Sequence, residues 1–392
     1  MGSFQCIYFD SERSWGQHMK SYLFHGRHPD GWLTFLICVL TALGMLYLYS
    51  TGVYYGEARF HDALYYFKKQ LLAVSLGLLV MYGVSRVEYT WITDRAGLFY
   101  ILSLCLSAAV LVVGKEYNGS KRWLAFGPLS FQPAEFAKAA VILLLAHVIS
   151  RREKKPAGLL FTLRIFLLVL PIVALVGTNN LSTAVIILGI AAGLIFMASP
   201  RYLQFVGLGA GAVALAGGFL AMESYRLERI AVWLNPEQHE KGFQTIQGLY
   251  AIGSGGLFGR GIGQSLQKLG FVPEAQNDMI FSIICEETGL FGALMLLAVF
   301  ALLIFRLYRL SVMARDLEGS LLLAGIMIHI ALQVILNVAV VTNSIPNTGI
   351  TLPFISYGGT SIVFLHGELG VALSVSRQIP AAHKLGKGIH YI

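Results

Sequence analysis

Ten runs of about 17 to 27 residues, each almost wholly apolar, punctuate this 392-residue chain. A helix that crosses the hydrocarbon of a bilayer needs roughly 20 mostly apolar residues. The runs lie at 32–52, 65–85, 97–113, 134–150, 159–178, 181–199, 202–222, 279–305, 320–342 and 358–377. They are continuously apolar rather than alternating, so they read as helices and not as barrel strands. The expected fold is therefore an all-α polytopic membrane protein with ten transmembrane helices. One membrane domain would occupy 32–377, between a polar N-terminal tail (1–31) and a C-terminal tail (378–392). Composition agrees, because 13% charged residues are too few to clothe a soluble globule. The same figures exclude a disordered chain and a nucleic-acid binder that works by bulk charge. The first 30 residues are polar and the first apolar run is full length, so no cleavable signal peptide is expected. Cys6, Cys38, Cys105 and Cys285 have neither metal-ligand spacing nor the look of a disulfide framework.

The net charge of +8 has to be located before it is interpreted. With the N-terminus inside, 17 of the 29 Lys and Arg fall on cytoplasmic segments, and Arg151-Arg152-Glu153-Lys154-Lys155 is the densest cluster. The excess of cations on short inside loops sets both termini in the cytoplasm. It also places the one long connection, 223–277 between the seventh and eighth spans, outside. Most of the positive charge is thus a topological anchor, and chemistry is sought among the outward segments.

Six of these segments are richer in polar and special residues than a tether needs. Lys68-Lys69-Gln70 lies at the outer end of the second span; the lysines either snorkel to the interface or contact a lipid phosphate. Lys121-Arg122-Trp123 leads to Gln132-Pro133-Ala134-Glu135-Phe136-Ala137-Lys138. Pro133 suits the first turn of a helix, and Glu135 and Lys138 share a face, as a functional or a structural ion pair. Asn179-Asn180 precedes Leu181-Ser182-Thr183 and could cap the next helix. Arg226 and Arg229 also share a helical face, suiting a diphosphate or simply a solvated helix. The Gly-rich run 253–263 leads through Lys268 to Pro273-Glu274-Ala275-Gln276-Asn277-Asp278. Asp278 lies at the outer mouth of the eighth span, where a carboxylate serves as general base or as N-cap. Last, Pro353, Ser356, Gly358, Gly359 and Thr360 interrupt the apolar C-terminal region, and irregular backbone at that depth has to be buried in protein or line a cavity. Within the spans, Glu286, Glu287, His329, His366 and Glu368 either pair inside the bundle or form a proton or ion path.

Taken together, these motifs resemble the SEDS family, which includes FtsW, RodA and SpoVE. The match runs in family order through Lys121-Arg122-Trp123, Gln132 to Lys138, Ala251 to Gly263, Pro273 to Asp278 with Glu286-Glu287-Thr288-Gly289, and Leu352 to Ser361. Gln267-Lys268-Leu269 and Pro273-Glu274-Ala275 look more like the FtsW/SpoVE division and sporulation branch. The resemblance implies a peptidoglycan glycosyltransferase of the bacterial cytoplasmic membrane. Such an enzyme polymerises lipid II on the outer face beside a class B penicillin-binding protein and other division proteins. Asp278 matches the family's catalytic aspartate. The chain departs from the family at Asn179-Asn180, where Pro-Asp is usual, which leaves any role of that second aspartate open. It departs again at Gln276-Asn277 (usually His-Thr) and at Met279 (usually Phe).

The expected mechanism is inverting transfer. Asp278 takes a proton from the acceptor 4-hydroxyl, and undecaprenyl diphosphate leaves. The expected substrate-contacting residues are Lys69, Gln70, Lys121, Arg122, Trp123, Gln132, Glu135, Lys138, Arg226, Arg229, Gln244, Lys268, Glu274, Pro353, Ser356, Gly358, Gly359 and Thr360. A divalent cation, Mg or Mn, is compatible with a diphosphate, although no sequence motif demands one and no metal ligands are assigned. Two other classes remain: a lipid II flippase, whose polar groups would line a path through the bilayer, and a non-catalytic scaffold for a transpeptidase, in which Asp278 would be dispensable.

Overall fold

The computed structural model describes residues 28–117, 120–126, 129–151, 159–199 and 230–379. Among the described residues, nine helices are long and apolar enough to span a membrane. They are α1 (Gly31–Phe60), α2 (Tyr65–Arg86), α4 (Ala96–Val113), α5 (Pro133–Ser150), α6 (Leu159–Gly177), α7 (Leu181–Ala198), α9 (Ile280–Val312), α10 (Leu317–Val341) and α11 (Gly359–Gln378). A single short turn, α3 (Tyr89–Thr93), joins α2 to α4, and α8 (Phe243–Gly255) lies in the long loop. The expected span 202–222 and the pair Arg226 and Arg229 lie outside the described residues.

Local chemistry fixes many of the ends. Asp30 caps α1, its carboxylate accepting from Leu33 N at 2.8 Å, and Asp316 caps α10 through Gly319 N at 2.8 Å. Pro133 opens α5, as its fixed φ favours. Two spans outrun their apolar windows. α1 continues to Phe60 and stops at His61, whose φ of 53° is left-handed. Apolarity marks where hydrocarbon ends, whereas a helix ends where its backbone turns. α9 likewise extends to Val312 and breaks at Gly289, whose φ is 67°.

That break is filled by the long loop. Arg260 N and Gly261 N donate to the carbonyls of Glu286 and Glu287 at 2.9 Å, and Leu290 N and Phe291 N donate to Gly256 O and Leu257 O at 2.9 and 3.0 Å. The backbone groups freed by the kink are thereby satisfied, as burial requires. A Cβ on Gly259 would stand 2.2 Å from Glu287 O, so only glycine permits the approach.

One element adds to the helical expectation. Strands β1 (Lys115–Tyr117), β2 (Ser120–Phe126) and β3 (Leu129–Phe131) form an antiparallel meander between α4 and α5. Its sequence signal is the pair of turn dipeptides Asn118-Gly119 and Gly127-Pro128 between short strand-prone runs.

The most buried spans are α5, α10 and α11, while α2, α4 and much of α9 face outward. Small residues allow the closest approaches. A Cβ on Gly370 would lie 2.9 Å from Met81 O, and one on Gly44 would lie 2.1 Å from Phe354 O. The second contact lets the irregular segment before α11 descend onto the backbone of α1. That descent is how non-helical chain survives inside the bundle.

Candidate active site

Asp278 stands two residues before α9. Met279 occupies the cap position and no side chain caps the helix, so capping does not account for the carboxylate. Its Oδ1 is buried and has no hydrogen-bond partner among the described residues. Burial pushes its carboxyl up to about 7, and the charge of Glu274 pushes the same way. The site is held from behind by Asn337 of α10, whose Nδ2 donates to Asp278 O at 2.8 Å and to Ile350 O at 2.7 Å. This bridge brings the loop 348–350 over the carboxylate: a Cβ on Gly349, whose φ is 68°, would lie 3.8 Å from Asp278 Oδ2.

The approach to Asp278 is built from the long loop. Glu274 adopts a left-handed φ of 55°, accepts from Asn277 Nδ2, and faces Arg59 at 3.7 Å. Gln244 on α8 donates to Pro273 O and accepts from Asn347 Nδ2, both at 3.3 Å. Gln276 O accepts from Tyr357 N at 2.9 Å. Glu274 and Gln244 therefore shape the segment that carries Asp278.

A second cluster lies beside the meander. Lys121, Arg122 and Gln132 line an open-sided cavity together with Asn179, Asn180 and Ser107. Arg122 Nε donates to Asn179 O at 2.7 Å, and Asn179 Nδ2 donates back to Lys121 O at 2.9 Å. Asn180 Oδ1 caps α7 by accepting from Thr183 N at 3.1 Å. The Asn pair is thus a cap and a strut, and it locks the α6–α7 turn to the cationic strand. Trp123 is half-buried on that strand. Ser182 Oγ, one residue into α7, donates to Thr348 O at 2.6 Å, and Thr360 Oγ1 donates to Ser130 O at 2.8 Å. The loop that covers Asp278 is therefore tied to the start of α7 beside the cavity, and the start of α11 is tied to strand β3.

Several expected contacts turn inward instead. Lys268 is buried and bonds Glu287 at 2.7 Å and Ser50 Oγ at 2.8 Å, so its charge is neutralised inside the protein. Gln70 is buried and accepts from Gly358 N at 3.2 Å, and Ser356 Oγ accepts from Leu352 N at 2.8 Å. These two hold the segment 352–359, with Pro353 buried among them and Gly358 and Gly359 partly open. Lys69 is exposed and leans on Tyr65, 4.5 Å from its ring centre. Within the spans, Lys138 pairs with Glu135 at 3.1 Å, and His329 pairs with Glu368 at 2.7 Å. Glu286 accepts from Leu266 N and Gln267 N. His366 bonds Ile362 O at 2.8 Å. Pairing within the bundle thus describes these groups.

Sequence reading missed Asn337 and Asn347, which lie in or beside an apolar span and carry no motif spacing. It also missed Gly349 as the lid over Asp278. Among the described residues no cluster of three His, Cys, Asp or Glu could hold a metal ion. Among the described residues, Asp278 Oδ1, its chain neighbours Asn277 Oδ1 and Gln276 Oε1, and Asn337 Oδ1 and Thr348 Oγ1 are buried without a hydrogen-bond partner. Oxygen donors of this kind are the type a hard divalent cation takes.

Comparison with known proteins places this geometry. The family described as cell cycle protein, FTSW_RODA_SPOVE, matches residues 31–380. Stage V sporulation protein E of Bacillus subtilis is 38% identical over 366 residues, covering 89% of this chain and 97% of the relative. A probable peptidoglycan glycosyltransferase FtsW of Trichlorobacter lovleyi is 32% identical, covering 91% and 95%. Rod shape determining protein RodA of Thermus thermophilus superposes with a TM-score of 0.67 at 30% identity, covering 90% of this chain and 97% of that one. A chain solved in a study of how a peptidoglycan synthase complex coordinates polymerisation and crosslinking superposes with a TM-score of 0.75 at 29% identity, covering 90% and 99%. A family match spanning nearly every described helix, with the motifs in order and the bundle superposable, makes this chain a multi-pass membrane protein of the FtsW/RodA/SpoVE family of cell cycle proteins.

Proposed function

We propose that this protein is a peptidoglycan glycosyltransferase that polymerises lipid II into glycan strands at the outer face of the bacterial cytoplasmic membrane. The observation that carries the reading is Asp278. Its carboxyl is raised to about 7, one of its oxygens is buried without a donor among the described residues, and it sits at the end of a span beside Gly349. A general base works best when its pKa lies near the operating pH. In this reading Asp278 removes the proton of the acceptor sugar's 4-hydroxyl. That oxygen attacks the anomeric carbon of the donor from the face opposite the diphosphate. The new glycosidic bond forms as the carbon–phosphate-oxygen bond breaks, and undecaprenyl diphosphate departs with inversion.

The leaving diphosphate gathers negative charge, and preorganised cations lower the barrier most. Lys121 and Arg122 line the cavity beside the meander, and Arg122 is pre-oriented by its bond to Asn179. Lys69 is exposed at the same end of the bundle. Lys138 reaches substrate only by loosening its hold on Glu135, and Lys268 stays a structural ion. A divalent cation, if used, would be held by the oxygens around Asp278 and would supply charge neutralisation.

The fold relative from a peptidoglycan synthase complex supports a crosslinking partner, a class B penicillin-binding protein, for this chain too. The family's description as cell cycle proteins and the sporulation name of one relative point to division or sporulation. The test is polymerisation of labelled lipid II in liposomes, with the partner present. Asp278→Asn is expected to lower the rate by ~10²–10⁴-fold, and wild-type product from a folded Asp278→Asn protein would overturn the assignment.

A further inference from the structure

The end of the bundle opposite Asp278 carries a group that this reaction does not use. α2 and α11 start together at the Asp278 end, where Gln70 holds Gly358, and run side by side for about 30 Å. They stay in close contact, with Gly77 against His366 and Gly370 against Met81 O. Ser374 Oγ donates to Val87 O at 2.6 Å and pins α11 to the end of α2. One turn later comes Arg377, beside Arg86.

Arg377 is 7% exposed and Gln378 5%. Arg377 Nε and Gln378 Nε2 are buried donors with no acceptor among the described residues. Among the described residues, the charged group that bears on Arg377 is another cation, Arg86, which is exposed and is held by Tyr82 through a 2.8 Å hydrogen bond and a ring contact at 4.7 Å. No ion pair joins either arginine to a carboxylate among the described residues. Basic side chains do complement the carbonyl end of a helix, and loop charges do set topology. Neither effect supplies an acceptor to a buried guanidinium N–H, which is costly to leave unmade, and neither explains why two uncompensated arginines share one end of this helix pair.

An anion between them answers both problems, and the adjoining surface says which anion. Leu72, Leu76 and Leu79 of α2 are 63, 49 and 68% exposed. Spaced by four and three residues, they form one lipid-facing stripe that runs down the helix to Tyr82 and Arg86. A ligand with a phosphate at the arginines and an acyl chain along this stripe fits the whole feature. Basic pockets between spans on the cytoplasmic side are suited to anionic lipid headgroups, and the distribution of Lys and Arg along the chain puts this end inside.

We propose that Arg86, Arg377 and Gln378 form a binding site for the phosphate of an anionic phospholipid of the inner leaflet, with its acyl chain on the leucine stripe of α2. The site is independent of the glycosyltransferase reading and stands or falls without it.

The test uses the purified full chain in neutral detergent. The probes are dioleoyl phosphatidylglycerol, dioleoyl phosphatidylcholine and inorganic phosphate. Native mass spectrometry reads retained lipid, and thermal unfolding reads stabilisation by it. Wild type is expected to retain phosphatidylglycerol in preference to phosphatidylcholine and to be stabilised by it. Arg86→Gln and Arg377→Gln should each weaken retention by about fivefold. Arg86 is exposed, so Arg86→Gln serves alone should Arg377→Gln fail to fold. Unchanged phosphatidylglycerol retention by a folded Arg86→Gln protein would overturn the site. Equal retention of the two lipids would overturn its anion preference. Full displacement of phosphatidylglycerol by millimolar inorganic phosphate would overturn the lipid assignment in favour of a free anion.

Discussion

The raised pKa of Asp278 makes one perturbation informative in two independent ways. In water an Asp ionises near 3.8, whereas here the carboxyl is held at about 7, mainly by burial and then by the charge of Glu274. At ~1.4 kcal/mol for each tenfold change in acidity, keeping the ionised carboxylate in this site costs about 4 kcal/mol. Because the native pKa lies above that of the open chain, the cost is absent below pH 3.8, grows through the interval, and is fully present above about 7. Asp278→Asn removes the charge and keeps the shape. The variant is therefore expected to melt higher than wild type at pH 8, by an amount bounded above by about 4 kcal/mol, and to match it at pH 4. Turnover should move the other way. If the carboxylate is the base, its ionised fraction is about one tenth at pH 6, one half at pH 7 and nine tenths at pH 8. Polymerisation of labelled lipid II in liposomes should follow that acid limb, and Asp278→Asn should lie ~10²–10⁴-fold below it throughout. Removing the like charge with Glu274→Gln should shift the limb to lower pH. A limb near pH 4, or an Asn variant no more stable than wild type at pH 8, would refute the reasoning about burial.

Three further outcomes follow from the packing. Lys268→Met leaves Glu287 buried without its cation and should lower stability by about 3–5 kcal/mol; thermal unfolding in detergent reads the loss, and the double variant Lys268→Met with Glu287→Leu should recover much of it. Gly44→Ala places a methyl 2.1 Å from Phe354 O and should destabilise by about 1–3 kcal/mol or more, seen as a lower melting point and faster proteolysis of the segment before α11. Arg122→Gln should raise KM for lipid II and lower turnover while leaving the melting point within about 1 kcal/mol of wild type, because Asn179 retains its bond to the strand backbone.

Much of the bundle was legible because span formation depends on composition over a window, and lipid imposes that rule uniformly. Nine expected runs each became a helix, with starts and ends that moved by a few residues except in α1 and α9. Those two moved further because hydropathy reports where the lipid ends and says nothing about where the backbone turns, at the left-handed His61 after α1 and at Met313 after α9. Asp278 was visible as a carboxylate at the mouth of a span, and Asn180 as a cap, since both follow from local position. Lys268 was misplaced because its sequence neighbourhood looks like a solvent-exposed loop. Only the folding of that loop into the kink of α9 shows that it faces Glu287.

The sequence by itself determined the membrane class, the order of the helices and the family motifs, because each is written in contiguous residues. Tertiary structure alone decided which charges remain for chemistry. Lys121 and Arg122 stay at a cavity, Lys268 and Glu287 cancel inside the bundle, and Asp278 keeps an oxygen without a donor among the described residues, close to Gly349. The physical reason is that a charge's energy depends on its desolvation and on partners brought from far along the chain. Glu287 lies 19 residues from Lys268 and Asn337 lies 59 from Asp278, separations over which no local pattern carries information.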